Sequence, residues 1–202
     1  MQELTPVDSP EGEPMDRLCK QLRDWSGRGN QVDQWPAESL RVCGQAGVYR
    51  WFLPPSQGGY GWTEREQTTG YLRLAEADLT TTFVITQYMG AIRRMAASEH
   101  RAAADRWLQS LVSGEKFGTV GISHLTTSRR HLDRPVLRAT ATDSRFLLEG
   151  MSPWVTGAPH ADVIVTGATM EDGQQILVAV PTDLEGIRPG PGYDLVALSA
   201  SC

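Results

Sequence analysis

The hydrophobic period of this chain changes once, near residue 116, and that change limits the fold more than any other feature. Before it, apolar residues recur at the three- and four-residue spacing of amphipathic helices. After it come short runs rich in β-branched and aromatic residues, at 117–123, 136–142, 146–148, 163–166, 176–180 and 195–198. The pattern predicts an α+β protein, in which an all-helical domain precedes a small antiparallel β-sandwich or barrel.

Three regions follow from this division. Residues 1–14 mix prolines with acidic residues and predict a disordered leader. Residues 15–115 form the predicted helical domain, and residues 116–202 form the predicted β domain. Because the last apolar run reaches the terminus without a closing strand, we expect the β domain to be truncated and the chain to be a fragment of something longer.

Local signals place several helices and one loop. Thr63 and Glu66 have the spacing of a capping box, and Asp78 or Thr80 is predicted to cap the next helix. That helix contains small residues such as Gly90 and should be central, buried and close to neighbouring helices. The glycine- and proline-rich segment 48–62 lacks the Gly-Lys-Ser/Thr ending of a phosphate loop, so it is interpreted as a packing loop.

Composition excludes several classes of protein. The 24 acidic and 19 basic residues give a net charge of −5 without a basic run, so no nucleic-acid partner is expected. Cys19, Cys43 and Cys202 are too widely spaced to predict a disulfide framework or a metal site. No apolar stretch approaches the length of a membrane span and no signal peptide is recognisable, so we expect a cytoplasmic protein.

The segment 150–162 is the candidate binding element. Trp154 and Thr156 are two residues apart, so in an extended segment both side chains would project from one face. An indole beside a hydroxyl offers a planar ligand a stacking surface and a hydrogen bond. A core strand with a buried tryptophan would show the same pattern, and this alternative stays open.

A second short motif is the run Gly-Ile-Ser-His-Leu at 121–125. It imitates part of a hydrolase nucleophile elbow but ends in leucine rather than glycine, so Ser123 is not predicted to be a nucleophile. His124 and His131 flank Arg129 and Arg130. Either a polar loop or a contact with an anion would explain this arrangement.

Four further segments occur in a recognisable order: Gly-Gln-Ala-Gly-Val at 44–48, Pro-Pro-Ser-Gln-Gly-Gly-Tyr-Gly at 54–61, Leu-Ala-Glu-Ala-Asp at 74–78 and Ser-Gly-Glu-Lys at 113–116. From about Met15 onward the chain resembles the acyl-CoA dehydrogenase superfamily. The resemblance implies a helical domain and a middle β domain, and the superfamily's C-terminal four-helix domain has no counterpart. It also implies FAD as cofactor, an acyl-CoA or other small-molecule substrate, and a homo-oligomer or partner chain that supplies the missing helices.

The resemblance assigns the flavin contacts to two segments. Residues 117–128 resemble the strand and loop that line the pyrimidine side of FAD, which implies roles for Ile122, Ser123 and either Ser128 or Arg129. Residues 150–162 resemble the superfamily's Trp-Ile-Thr-Asn segment. Trp154 would then pack against the isoalloxazine and Thr156 would hydrogen-bond near its reactive nitrogen, with Val155 between them.

Departures from the superfamily pattern leave the chemistry open. Ser123, His124 and Leu125 stand where the dehydrogenases usually read Thr-Glu-Pro, and this altered loop resembles that of the superfamily's flavin-dependent monooxygenases. The carboxylate base of the dehydrogenases belongs to the C-terminal domain, so no catalytic residue is predicted here, and no metal ligand either. Three hypotheses remain: an acyl-CoA dehydrogenase-like oxidoreductase, a flavin monooxygenase, and a non-enzymatic remnant or binding module.

Overall fold

A computed structural model describes residues 5–26, 34–126, 135–143, 145–190 and 198–201. Within these ranges the helices are α1 (Glu13–Ser26), α2 (Ala37–Gln45), α3 (Glu64–Ala77), α4 (Leu79–Ala96), α5 (Arg101–Ser113) and the short α6 (Ser123–Thr126). The strands are β1 (Gly118–Gly121), β2 (Leu137–Thr142), β3 (Arg145–Gly150), β4 (Val163–Met170) and β5 (Gln175–Pro181). The predicted α+β order is confirmed, because α1 to α5 precede the first strand.

The sheet is organised around β4. β1 pairs parallel with the first half of β4, from Gly118 opposite Val163, and β2 pairs parallel with its end, at Arg138 opposite Thr169. β5 runs antiparallel along the opposite edge of β4, and β3 forms an antiparallel hairpin with β2. The prediction of a purely antiparallel sheet is therefore wrong, because apolar runs mark where strands lie but not the direction in which they pair.

Helix α4 is central, as predicted, and packs against α3, α5 and β1. One continuous apolar core joins the helices to the sheet through Val120, Val163 and Val165. A side chain at Gly90 would meet Val120 at 3.2 Å. The close contact of this glycine is therefore with a strand, and not with a neighbouring helix as the sequence led us to expect.

The connection from α5 to β1 is fixed by polar contacts. Tyr88 Oη lies 2.5 Å from the carbonyl oxygen of Leu111 and 2.6 Å from that of Lys116. Burial raises the pKa of the Tyr88 phenol, so it remains a hydrogen-bond donor. Asp162, just before β4, accepts hydrogen bonds from Lys116 Nζ at 3.0 Å and from the backbone N–H of Phe117 at 2.8 Å. These contacts set the position of β1 relative to the helices.

The predicted disordered leader is wrong for residues 5–12, which pack against the helices. Val7 is buried and its N–H donates to the carbonyl of Ala46 at 2.8 Å. The indole N–H groups of Trp51 and Trp62 donate to the carbonyls of Val7 and Asp8, each at 2.9 Å. Two buried indoles need acceptors. The leader supplies them, and composition alone does not show this.

The segment 48–62 packs around two tryptophans, in agreement with its interpretation as a packing loop. The rings of Trp51 and Trp62 stack with centroids 4.2 Å apart. Gly70 of α3 lies against both rings, since a Cβ there would be 2.7 Å from one and 2.8 Å from the other.

The predicted last strand, residues 195–198, lies outside the described residues except for Leu198. Leu198 has φ 60°, a left-handed conformation that does not continue a strand, and a 3-10 turn follows at Ser199–Ser201. The carbonyl of Ser201 accepts a hydrogen bond from the N–H of Gly157 at 2.9 Å. The turn therefore packs against the candidate binding segment.

Both predicted helix caps can be assigned. The backbone N–H of Thr63 donates to Glu66 Oε2 at 2.7 Å, and that of Glu66 donates to Thr63 Oγ1 at 3.3 Å, which completes the capping box. Asp78, and not Thr80, caps α4: the N–H of Thr81 donates to Asp78 Oδ1 at 2.9 Å, and the Thr81 hydroxyl donates to Oδ2 at 2.6 Å.

We predict that Asp78→Ala lowers the free energy of unfolding by about 2 kcal/mol, because it removes a helix cap and leaves buried donors unpaired. Urea unfolding followed by circular dichroism measures the change. Asp105→Ala is the control, since this exposed carboxylate forms only a 3.8 Å ion pair with Arg101. Equal losses for the two variants would contradict the assignment of Asp78 as a buried cap.

Candidate functional site

An open cleft of about 350 Å³ lies where α4 meets the end of β1. Its volume is at the lower end of the range for small-molecule sites. Helix α4 contributes four lining residues and the sheet side contributes four more, which are Thr86, Gln87, Gly90 and Arg94 from the helix and Val120, Ile122, Ser123 and Trp154 from the sheet side.

The helical wall comes from one face of α4. These four positions follow the period of an α-helix and therefore lie on one face of it: Thr86, Gln87, Gly90 and Arg94. The sequence prediction did not include these residues. The available signal was a polar stripe interrupted by a glycine in a helix whose other faces are apolar and buried.

The opposite wall depends on a close approach at Gly121. A Cβ at this position would lie 2.4 Å from Ser152 Oγ and 2.7 Å from Val155 Cγ2. The Gly121 carbonyl accepts hydrogen bonds from Thr166 Oγ1 at 2.7 Å and from Ser152 Oγ at 3.0 Å. The segment 151–157 is therefore held across the end of β1, where Gly121 leaves space for it.

Trp154 reaches the cleft from this segment. Its φ is 58°, in the left-handed region, which costs a non-glycine residue roughly 1–2 kcal/mol. The side chain is 61% exposed, so the alternative of a buried core tryptophan is wrong. The expected extended geometry is wrong as well: Trp154 is left-handed and Thr156 lies in a turn, so the rule that residues two apart share a face does not apply.

The structure brings together three of the predicted site residues, Ile122, Ser123 and Trp154. Val155 instead packs under the loop against Gly121. Thr156 is half-buried and does not line the cleft. Two further predicted residues, Ser128 and Arg129, lie outside the described part of the chain, as does His131.

The turn after Trp154 is fixed by aromatic packing. Gly157 has φ 64°, and a Cβ there would lie 2.3 Å from the ring of Trp35. The Trp35 ring stacks on His160 with centroids 4.4 Å apart and meets Phe117 edge-on at 5.1 Å. Burial lowers the pKa of His160, which favours the neutral ring in this stack.

His124 is a buried structural residue, so its interpretation as part of a polar loop is wrong. Its Nε2 lies 2.8 Å from the carbonyl oxygen of Gly167 in β4, to which it donates. Ser123 Oγ lies 3.5 Å from the carbonyl oxygen of Pro153. Because Nε2 of His124 bonds to Gly167 and its Nδ1 has no hydrogen-bond partner among the described residues, neither ring nitrogen accepts a proton from Ser123.

The electrostatics of the cleft are set by one cation. Arg94 is the only ionisable side chain among its described lining residues. Within the described ranges, no group of histidine, cysteine, aspartate or glutamate residues has the arrangement of a metal site. The helices that the structure describes include none that is both long and apolar enough to cross a membrane.

Solved structures share this fold. Glutaryl-CoA dehydrogenase from Mycobacterium smegmatis, in complex with FADH2, is 19% identical with a TM-score of 0.75, over 95% of this chain and 51% of that protein. Acyl-CoA dehydrogenase from Bacillus anthracis, complexed with FAD, is 16% identical with a TM-score of 0.72, over 99% and 37%. TdsC from Paenibacillus sp. A11-2, with FMN and indole, is 17% identical with a TM-score of 0.73, over 93% and 47%.

No protein-family model and no curated protein matches the sequence. The structural similarity shows that the chain has the acyl-CoA dehydrogenase fold, and the resemblance seen in the sequence is confirmed at that level. The chain spans between 37% and 51% of the length of these three structures.

We predict that Gly121→Ala displaces the segment 151–157 and lowers the free energy of unfolding by about 1–3 kcal/mol, because the added methyl group would overlap Ser152 and Val155. The indole N–H resonance of Trp154, assigned by its loss in Trp154→Phe, should shift. Gly190→Ala is the control, since a Cβ there meets nothing within 4 Å. An unmoved Trp154 resonance in Gly121→Ala would show that this close approach does not position the indole.

Proposed function

We propose that this chain is the helical and β portion of an FAD flavoprotein of the acyl-CoA dehydrogenase type, with the flavin ring against Trp154. The observation that carries the proposal is an exposed indole, held by a left-handed backbone beside Ile122 and Ser123 at the mouth of a cleft. The fold supports it, and so do the structural neighbours described with FADH2, FAD or FMN.

The lining residues fit a flat heteroaromatic ring. The indole of Trp154 offers a stacking face, Val120 and Ile122 offer apolar edges that exclude water, and the Ser123 hydroxyl is a hydrogen-bonding group. FAD, when bound, would supply the hydride acceptor for oxidation of an acyl thioester. The chain's own residues would orient the ring and shield it from solvent.

Removal of a proton beside a carbonyl requires a base within hydrogen-bond reach. The described lining residues include neither a carboxylate nor a histidine. In this proposal the base therefore comes from outside the described cleft, from a further helical segment or a partner chain. Assembly as a homo-oligomer or with such a partner, and a cytoplasmic location, belong to the same proposal.

A flavin-dependent monooxygenase is the second candidate. The cleft wall on α4 carries Thr86, Gln87 and Arg94, which suit a polar ligand better than an aliphatic acyl chain. TdsC, one of the structural neighbours, is described with FMN and indole. Oxygen consumption that requires an added flavin reductase, without reduction of a dye by acyl-CoA, would select this candidate.

We predict that the chain binds FAD and that Trp154→Ala weakens binding about 5- to 150-fold, because aromatic stacking contributes about 1–3 kcal/mol. Quenching of flavin fluorescence during titration measures the affinity. Phe146→Ala is the control, because Phe146 is a half-exposed aromatic residue on β3 that does not line the cleft.

Two outcomes would count against this function. If the folded wild-type chain remains colourless and takes up no FAD, the hypothesis of a non-enzymatic remnant or binding module is favoured. If FAD binds but Trp154→Ala and Phe146→Ala have the same affinity as the wild type, the flavin ring lies elsewhere. Circular dichroism of each variant shows whether the fold is retained.

A further inference from the structure

The cleft contains a positive charge that the described residues do not neutralise. Arg94 lines the cleft, its side chain is exposed, and no carboxylate oxygen lies within 4 Å of it in the described part of the chain. The other described lining residues are neutral, and the Gln87 amide, which donates one N–H to Thr86 Oγ1 at 3.1 Å, has a second N–H. The cleft is therefore suited to an anion.

Gly90 allows the arginine to lie along the floor of the cleft. Arg94 Nη1 donates to the carbonyl of Gly90, one turn earlier in α4, at 3.0 Å. A Cβ at Gly90 would lie 3.5 Å from this nitrogen and 3.2 Å from Val120 Cγ1. A glycine in the middle of a helix costs about 1 kcal/mol relative to alanine. The missing side chain here leaves space between the guanidinium and the strand.

We propose that Arg94 binds a carboxylate of the substrate, so that the cleft accepts an organic acid with a single negative charge. That this organic acid is the substrate of a flavoenzyme rests on the proposed function. The recognition itself rests on the cleft, because the guanidinium presents its N–H groups in a planar fork that matches a carboxylate.

Charge balance favours a carboxylate over a phosphate. One guanidinium with neutral donors matches one negative charge. A phosphate monoester carries close to two charges at neutral pH, and no described lining residue would neutralise the second. A simple aliphatic chain would exclude water from the guanidinium without supplying an anionic partner, and this arrangement is unfavourable.

The test uses two probes of the same shape and different charge, 2-naphthoate and 2-naphthamide. Each is titrated into the 202-residue chain without FAD and again with FAD, and ligand-observed NMR gives the affinity. We expect the wild-type chain to prefer the carboxylate about five- to tenfold, a modest factor because the arginine is exposed to solvent. Arg94→Gln should abolish the preference, and Arg94→Lys should retain part of it.

Arg93→Gln is the matched control. Arg93 is the neighbouring residue, is also exposed, carries the same charge and does not line the cleft. This variant should keep the preference for the carboxylate. Loss of the preference in both variants would attribute it to the general charge of the end of α4 and overturn the proposal.

Two further results would overturn it: equal affinity of the wild-type chain for the two probes, or a preference that survives Arg94→Gln. Titrations with riboflavin, FMN and FAD separate the cofactor from the substrate. If Arg94→Gln weakens FMN and FAD but not riboflavin, and leaves 2-naphthoate unaffected, the arginine binds a cofactor phosphate and the proposal is wrong. Failure to bind any flavin, with the carboxylate preference intact, would contradict the proposed function and leave the Arg94 inference standing.

Discussion

The candidate site depends on one close approach, between the end of β1 and the segment 151–157 at Gly121. The absence of a side chain lets Ser152 and Val155 reach the strand backbone, and the Gly121 carbonyl accepts hydrogen bonds from two hydroxyls. Because these contacts fix both ends of a short loop, the loop can keep Trp154 in an unfavourable left-handed conformation. The backbone packing at Gly121 therefore helps to hold the indole in its exposed position.

The helical part and the β part of the chain together fix the geometry of the cleft. A single apolar core runs from α4 through Val120 to Val163. Strand β1 therefore packs against α4 on one face and against the segment 151–157 on the other. The hydrogen bonds of Tyr88 and Asp162 fix where β1 begins. A cleft between α4 and β1 would change shape if these parts could move separately. Because one core joins α4 and β1, the fold itself fixes the distance between the two walls of the cleft.

The sequence predicted those features that are encoded locally. The change of period gave the α+β order, and the spacing of Thr63 and Glu66 gave a helix start that the hydrogen bonds reproduce. Strand direction was not predictable, because β1 pairs with β4 across a separation of about 45 residues that apolar runs do not record. The packed leader was missed for a related reason: its acidic, proline-rich composition is typical of disorder, while its order depends on indole donors that follow more than 40 residues later.

The conformation of Trp154 shows why a motif can identify a site and still give the wrong geometry. Trp154 and Leu198 are the two non-glycine residues with positive φ in the described ranges, and both belong to the region where Gly157 hydrogen-bonds to Ser201. The left-handed conformation of these two residues lowers stability. Natural sequences are otherwise consistent between local preference and fold, so the strained backbone at Trp154 supports its proposed role in the cleft. The same reasoning explains why the α4 wall was not found: its residues obey the helical period, and only their polarity relative to the buried faces marks them.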